Sequence, residues 1–258
     1  MPKTIIDHAF ILAAGKGTRL RPYTDNCPKP LVPAGGQPII DHVLDRLEDA
    51  KISHVTVNLH YMADMLEAHL KRRGHPALTF SRESELLETG GGVKKALNTM
   101  GGGPFFVVSG DSFWIDRPGQ KALKRMAAAW DPEKMDLLLM MQPLSKMILT
   151  EGRGDYDVLP DGRAVRSKSK SGACMWTSVR LCTPELFEDT PDDHFSFLEL
   201  MDRAESRGRL YGLIHDGDWH HISTPDDLER VNEHLKKEKK ESPRSHEAHE
   251  ENTKKISS

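Results

Sequence analysis

The sequence is short of cysteine, short of net charge and without a long apolar run, and each shortage removes a class of protein. Three cysteines, Cys27, Cys174 and Cys182, are too few and too scattered for a disulfide framework or a cysteine zinc site, which points to a reducing compartment. A formal charge of -3 over 258 residues gives no general attraction to nucleic acid or to an acidic membrane surface. No segment approaches the roughly 20 continuous apolar residues that a membrane helix needs, and residues 1–8 lack the apolar core of a secretory leader. The expectation is a soluble, cytoplasmic protein with no nucleic-acid and no membrane partner. Residues 236–258 are nearly devoid of apolar side chains and mix both charges, which predicts a disordered tail.

The remaining 1–235 stretch is long enough to bury a sizeable core. Residues 9–14 form a continuous apolar run of strand length stopped by Gly15, the pattern of a strand buried on both faces. Ile39, Ile40, Val43, Leu44 and Leu47 recur at helical spacing with charged residues between them. The alternation continues with a strand at 54–59, a helix at 61–70, a strand at 77–81, a helix over 93–100 after three glycines, and a strand at 105–109. That strand ends at Gly110-Asp111, and a helix at 119–130 and an apolar run at 136–141 follow. The pattern predicts an α/β fold with a mainly parallel sheet, helices on both faces, and ligands at the carboxyl ends of the strands. The Met-rich run at 137–141 reads as core.

From Gln142 the rhythm changes. A hairpin is expected over 152–166 around Pro160-Asp161-Gly162-Arg163, then a strand at 173–181 and a short helix opened by Thr183-Pro184-Glu185. A helix at 195–207, a strand at 209–215 and a helix from Thr224-Pro225 to about Leu235 complete the chain. This half is expected to be a smaller mixed subdomain packed on the first sheet, within one domain over 1–235.

The chemistry concentrates where the first strand ends. In Gly15-Lys16-Gly17-Thr18-Arg19, backbone N–H groups can converge on phosphate oxygens while the glycines allow close approach. Arg19 can fork onto two oxygens, and Lys16 and Lys29 are movable point charges. A lone glycine pair would mean no more than a solvated basic turn. The chain has no Gly-Lys-Ser/Thr ending of a P-loop, and Leu20 stands where a dinucleotide fingerprint has its third glycine. Asp111, at the end of a buried-type strand, is either a Mg²⁺ ligand or a turn-forming aspartate. Asp116 reads as a cap before Pro118.

The string Leu12-Ala13-Ala14-Gly15 with Gly17-Thr18-Arg19-Leu20, Pro22 and Thr24, then Pro28-Lys29-Pro30-Leu31-Val32-Pro33, Gly36 and Pro38, resembles the sugar-phosphate nucleotidylyltransferases. The resemblance implies a Rossmann-like fold whose half at 9–141 binds a nucleoside triphosphate and whose half at 142–235 binds a sugar 1-phosphate. It implies Arg19 and Lys29 engaged with the phosphates during transfer, with Asp111 as metal ligand and Mg²⁺ as cofactor. The implied nucleotide contacts are Leu12, Ala13, Ala14, Gly15, Gly17, Thr18, Arg19, Lys29, Glu88, Thr89, Gly90 and Gly91. Leu87-Glu88-Thr89-Gly90-Gly91-Gly92-Val93 and Gly152-Arg153-Gly154-Asp155-Tyr156 are similar to the N-acetylmuramate-1-phosphate uridylyltransferase branch. That branch implies UTP as donor and a place in peptidoglycan recycling. Without Cβ atoms, Gly90 and Gly91 can lie against a base and ribose, or serve a helix entry. Glu88 accepts from a base or hydroxyl, or favours the helix N-terminus, and Asp155 suits a sugar hydroxyl or amide.

One departure stands out: His221 and Ser223 occupy positions where many relatives have aspartate and glycine, and that aspartate usually completes the metal site. Imidazole is a poorer ligand for Mg²⁺ and suits Mn²⁺ or another softer divalent ion, so His221 is either a metal ligand or a packed side chain. A mannose-1-phosphate guanylyltransferase and a catalytically silent nucleotide-sugar-binding regulatory protein are the alternative readings.

Overall fold

A computed structural model describes residues 5–149 and 152–241. The first buried run is β1 (His8–Leu12). A two-residue hairpin, β2 (Pro33–Ala34) and β3 (Gln37–Pro38), leads into α1 (Ile39–Asp49), whose apolar stripe Ile39, Ile40, Val43, Leu44 and Leu47 is fully buried as its spacing requires. Strands and helices then alternate: β4 (His54–Leu59), α2 (Ala63–Leu70), β5 (Ala77–Arg82), α3 (Glu88–Lys95), β6 (Phe105–Ser109), β7 (Ser112–Ile115), α4 (Ala122–Ala129) and β8 (Leu137–Pro143). The second half supplies β9 (Tyr156–Val158), β10 (Ala164–Arg166), β11 (Cys174–Cys182), α5 (Phe197–Ser206), β12 (Leu210–Ile214), β13 (Asp218–His221) and α6 (Pro225–Glu241).

The parallel strands lie in the order β6, β1, β4, β5. β11 joins β6 antiparallel, and β8 and β12 extend the sheet beyond it, so both halves of the chain share one nine-stranded sheet. β7 and β13 form a separate ladder that brings the 218–222 segment back beside Asp111, whose carbonyl accepts from the Ile222 N–H. Strand alternation sorts the core. Ala9 and Ile11 face a layer made by α1, α2, α4 and α6, while Phe10 faces α3 and α5 across the sheet. Among the described residues no helix is long and apolar enough to cross a membrane.

Three local expectations are corrected. Helix α3 begins at Glu88 and contains the three glycines, where a start at Val93 was expected. Gly90 and Gly91 are helical because their missing side chains admit the chain at Asp193 and Phe195, whose carbonyl at Phe195 accepts from both N–H groups. Thr183 opens only a short 3-10 turn, Pro184–Phe187, without a side-chain cap. The full capping box lies at α5, where Ser196 and Glu199 bond reciprocally to the helix start. Finally, α6 runs to Glu241, past the expected boundary at Leu235 and into the stretch read as a tail. Lysine and glutamate are good helix formers, and His234 and Glu238 pair at i,i+4 spacing, 3.5 Å apart. The rest of the expected tail, 242–258, lies outside the described residues.

Candidate active site

At the carboxyl end of β1 the backbone N–H of Ala13 donates to Asn58 Oδ1 at 2.6 Å. Asn58 stands near the carboxyl end of β4, and its Nδ2 donates to Glu83 Oε1 at 2.7 Å, just after β5. Glu83 Oε2 in turn accepts from the N–H of Leu87, the residue before α3. Asn58 and Glu83 are both buried. Three strand ends and a helix start are thus joined by one polar relay, in which every buried group has a partner that water would otherwise supply. The relay fits because position 92 is glycine: a Cβ there would stand 2.8 Å from Glu83 Oε1 and 2.9 Å from Asn58 Nδ2.

The loop itself turns at Gly17, which adopts φ +62°, and a Cβ at this position would stand 2.8 Å from Lys29 Cβ. Glycine is needed here for both reasons. Thr24 Oγ1 closes the loop on the Gly17 carbonyl at 2.9 Å, and Tyr61 Oη donates to the Thr24 carbonyl at the same distance. These bonds carry Lys29, only 7% exposed, to the floor of the site. Its Nζ donates to Asp111 Oδ2 at 2.8 Å, while Ser109 Oγ donates to Asp111 Oδ1 at 2.6 Å. Burial alone would raise the Asp111 pKa; the charges of Lys29 and His221 and the two hydrogen bonds outweigh it and hold the carboxyl at about 2. Asp111 is therefore ionised throughout the physiological range.

Above this pair opens a cavity of about 400 Å³. Leu12, Ala13, Ala14, Gly15, Gly17, Thr18, Arg19 and Lys29 line it from the loop, Glu88 and Thr89 from α3, and Asp111 from the end of β6. Glu88 holds φ +59°, a left-handed conformation uncommon outside glycine, at the first residue of its helix. Thr89 Oγ1 accepts from the N–H of Phe197 at 2.9 Å, fastening the start of α3 to the start of α5.

Other expected residues lie elsewhere. Gly90 and Gly91 are buried and do not line the cavity; their place against the 193–195 segment makes them packing positions. Asp155 accepts from Lys170 Nζ at 2.6 Å in the β9 hairpin, away from the lining residues. Lys16 is exposed and outside the lining. His221 pairs with Ser112 across the β7–β13 ladder and exchanges a 2.7 Å hydrogen bond with Ser223 Oγ, which does line the cavity. Burial lowers the His221 pKa, Asp111 raises it, and Lys29 and Arg19 lower it again, so the ring sits within electrostatic reach of all three. Asp116 caps α4 by accepting from the Ala122 N–H at 3.0 Å.

Sequence reasoning passes over Asn58, Glu83 and Ser109, all of which line the cavity, and names Ser223, a further lining residue, only as a departure beside His221. The first two had a signal. A polar residue inside the β-branched run at 55–59 and an acid at the end of the next strand both fall at carboxyl strand ends, where ligands of such sheets gather.

A divalent ion fits this donor set only in part. Among the described residues, the groupings of three or more potential ligand side chains do not include Asp111 or His221. One carboxylate and one neighbouring imidazole could hold a cation that takes its other ligands from phosphate oxygens and water.

The family pattern described as nucleotidyl transferase matches residues 8–144, the stretch that builds the cavity. The chain is 42% identical over 224 residues to the N-acetylmuramate alpha-1-phosphate uridylyltransferase of Caulobacter vibrioides, covering 84% of this chain and 92% of that one. It is 30% identical to the protein of the same name from Neisseria meningitidis serogroup B, with 84% and 93% covered. In fold it matches HddC from Yersinia pseudotuberculosis, solved with GMP-PN, with a TM-score of 0.72 at 24% identity over 89% of this chain and all of that one. Agreement in the matched pattern, in identity and in the length aligned leaves one assignment: the chain belongs to the nucleotidyl transferase family and is an enzyme of the sugar-phosphate nucleotidyltransferase kind.

Proposed function

We propose that the protein transfers a uridylyl group from UTP to N-acetylmuramate 1-phosphate, releasing pyrophosphate. The observation that carries the reading is the Lys29–Asp111 ion pair at the floor of a cavity walled by the glycine loop. A triphosphate laid along that loop meets backbone N–H groups and Arg19, and its charged end lies over Lys29. The uridylyl choice rests on the names of the two relatives aligned along nearly the whole chain.

The acceptor phosphate is already an anionic nucleophile, so no base is needed to activate it. One of its oxygens attacks the α-phosphorus in line, the bond to the pyrophosphate oxygen breaks, and its electron pair leaves with pyrophosphate. Lys29 stabilises charge on the transferring phosphoryl group from a fixed position, while exposed Arg19, at the rim, follows the leaving group. The expected cofactor, Mg²⁺ or with His221 a softer ion such as Mn²⁺, would be held by Asp111 and His221 and would neutralise triphosphate charge. Pyrophosphate release from a matrix of UTP and GTP against N-acetylmuramate, N-acetylglucosamine and mannose 1-phosphates tests the reading. Release with UTP and the muramate alone is the expected result. Release only with GTP and mannose 1-phosphate, or nucleotide binding without release, overturns it.

A further inference from the structure

The β11 side of the molecule buries a guanidinium that this reaction does not use. Arg180 is 1% exposed, and among the described residues its Nε and Nη1 have no acceptor and no carboxylate pairs with it. Burial pulls its pKa down to about 9, the response of a cation without a counter-charge. Two aromatic faces enclose it: its Cζ lies 4.5 Å from the centre of the Trp176 ring and 4.0 Å from that of Phe197.

An irregularity in the sheet creates this sandwich. Trp176 pairs with Met141 and Arg180 with Leu139, so β11 spends four residues where β8 spends two, with Ser178 at φ +64° in the bulge. Residues four apart in a regular strand would be about 13 Å apart, and the bulge reduces this to the spacing of residues two apart, about 7 Å. The tryptophan can then cover the guanidinium. Trp176 Nε1 and Tyr156 Oη, in the same core, also lack a partner among the described residues. Three buried donor groups without an acceptor are the complement of an anion.

Two links tie the cluster to the cavity, although none of its own side chains lines it. Phe197 donates its N–H to Thr89, which lines that cavity, and Arg180 pairs with Val107, two residues before lining residue Ser109 on β6. Phe197 is fully buried, whereas Trp176 is only half-buried, so the tryptophan is the face of the sandwich nearer to solvent.

We propose that Arg180 is the recognition residue for a carboxylate carried by the acceptor sugar, received beneath Trp176 and held by the guanidinium fork. The proposal rests on the uridylyltransferase reading above, and it explains how an acidic sugar is told from a neutral one of the same ring. N-acetylmuramate differs from N-acetylglucosamine by an ether-linked lactyl acid, and a buried cation discriminates strongly for such a group.

The test compares kcat/KM for N-acetylmuramate 1-phosphate, its lactyl amide and N-acetylglucosamine 1-phosphate, with UTP, in the full chain and in Arg180→Met and Arg180→Lys. The wild type is expected to prefer the acid over the nearly isosteric amide by at least about tenfold, a charge-assisted hydrogen bond's worth. Arg180→Met should bring that ratio near one, with Arg180→Lys in between. An unchanged ratio in Arg180→Met places carboxylate recognition elsewhere and overturns the proposal. If that variant does not fold, the wild type still decides, because equal use of acid and amide overturns it too. Should the wild type release no pyrophosphate with the muramate, the uridylyltransferase reading fails and the subsite falls with it. Activity with the acid but no discrimination sinks the subsite alone.

Discussion

The loop side of the molecule and the β11 side treat their buried polar groups in opposite ways. Around the loop each group meets another: Ala13 meets Asn58, Asn58 meets Glu83, Lys29 meets Asp111, and Asp111 meets Ser109. On β11 and β9 the buried donors of Arg180, Trp176 and Tyr156 meet no acceptor among the described residues. A site whose polar atoms satisfy one another keeps its shape without a ligand. Preorganisation of that kind suits the phosphate chemistry common to every nucleotidyl transfer. A site left rich in donors holds its complementarity for a particular partner.

The largest expected effect breaks the loop side at its floor. Asp111→Asn and Lys29→Ala should each lower kcat by two to three orders of magnitude or more, measured as pyrophosphate release, with unchanged far-UV circular dichroism. Wild-type turnover in either variant would remove the ion pair from the mechanism. Next comes the relay. Asn58→Leu leaves the Ala13 N–H and the Glu83 carboxylate without their partner in a buried place, a loss of about 2–4 kcal/mol of stability. The KM for UTP should rise with it, and urea unfolding alongside initial rates reads both. An unaltered KM would show that the loop holds its shape without the relay.

Gly90→Ala separates packing from nucleotide contact. A methyl group there runs into Phe195, which should lower stability by about 1–3 kcal/mol. The KM for UTP should stay within about twofold once temperature is kept below the melting range. A KM increase at full folding would restore the glycine to the nucleotide surface. The smallest effect concerns pH. Burial lowers the His215 pKa, against smaller opposing contributions from Asp116 and the Asp218 carbonyl. Below the ordinary histidine range the unfolded chain gains a proton that the folded ring refuses. Stability is therefore complete above about pH 6.5 and falls as pH drops toward the folded value, by at most about 1.4 kcal/mol per unit. His215→Leu should flatten that slope in urea melts at pH 5 to 7, and equal slopes would exclude this residue.

Legibility follows the same division. The buried β1, the stripe of α1 and the strand ending at Asp111 can be read from spacing, because their neighbours in sequence are their neighbours in function. Leu12, Ala13, Ala14, Gly15, Gly17, Thr18, Arg19 and Lys29 appear on the cavity for that reason. Gly90 and Gly91 could not be read this way, since what they admit is the backbone around Phe195, more than a hundred residues along the chain. His221 lies between: its residue type was visible, but its nearness to Asp111 depends on the β7–β13 ladder.

By itself the sequence determined the alternating fold and the glycine-rich basic loop, through periodic burial and a contiguous motif whose glycines and basic residues lie within one turn. Only the tertiary structure decided the partners: Lys29 with Asp111, Asn58 with Glu83, and Arg180 with the two aromatic rings that enclose it. Those depend on strand register and on a bulge in β11, which long-range pairing sets and local spacing does not encode.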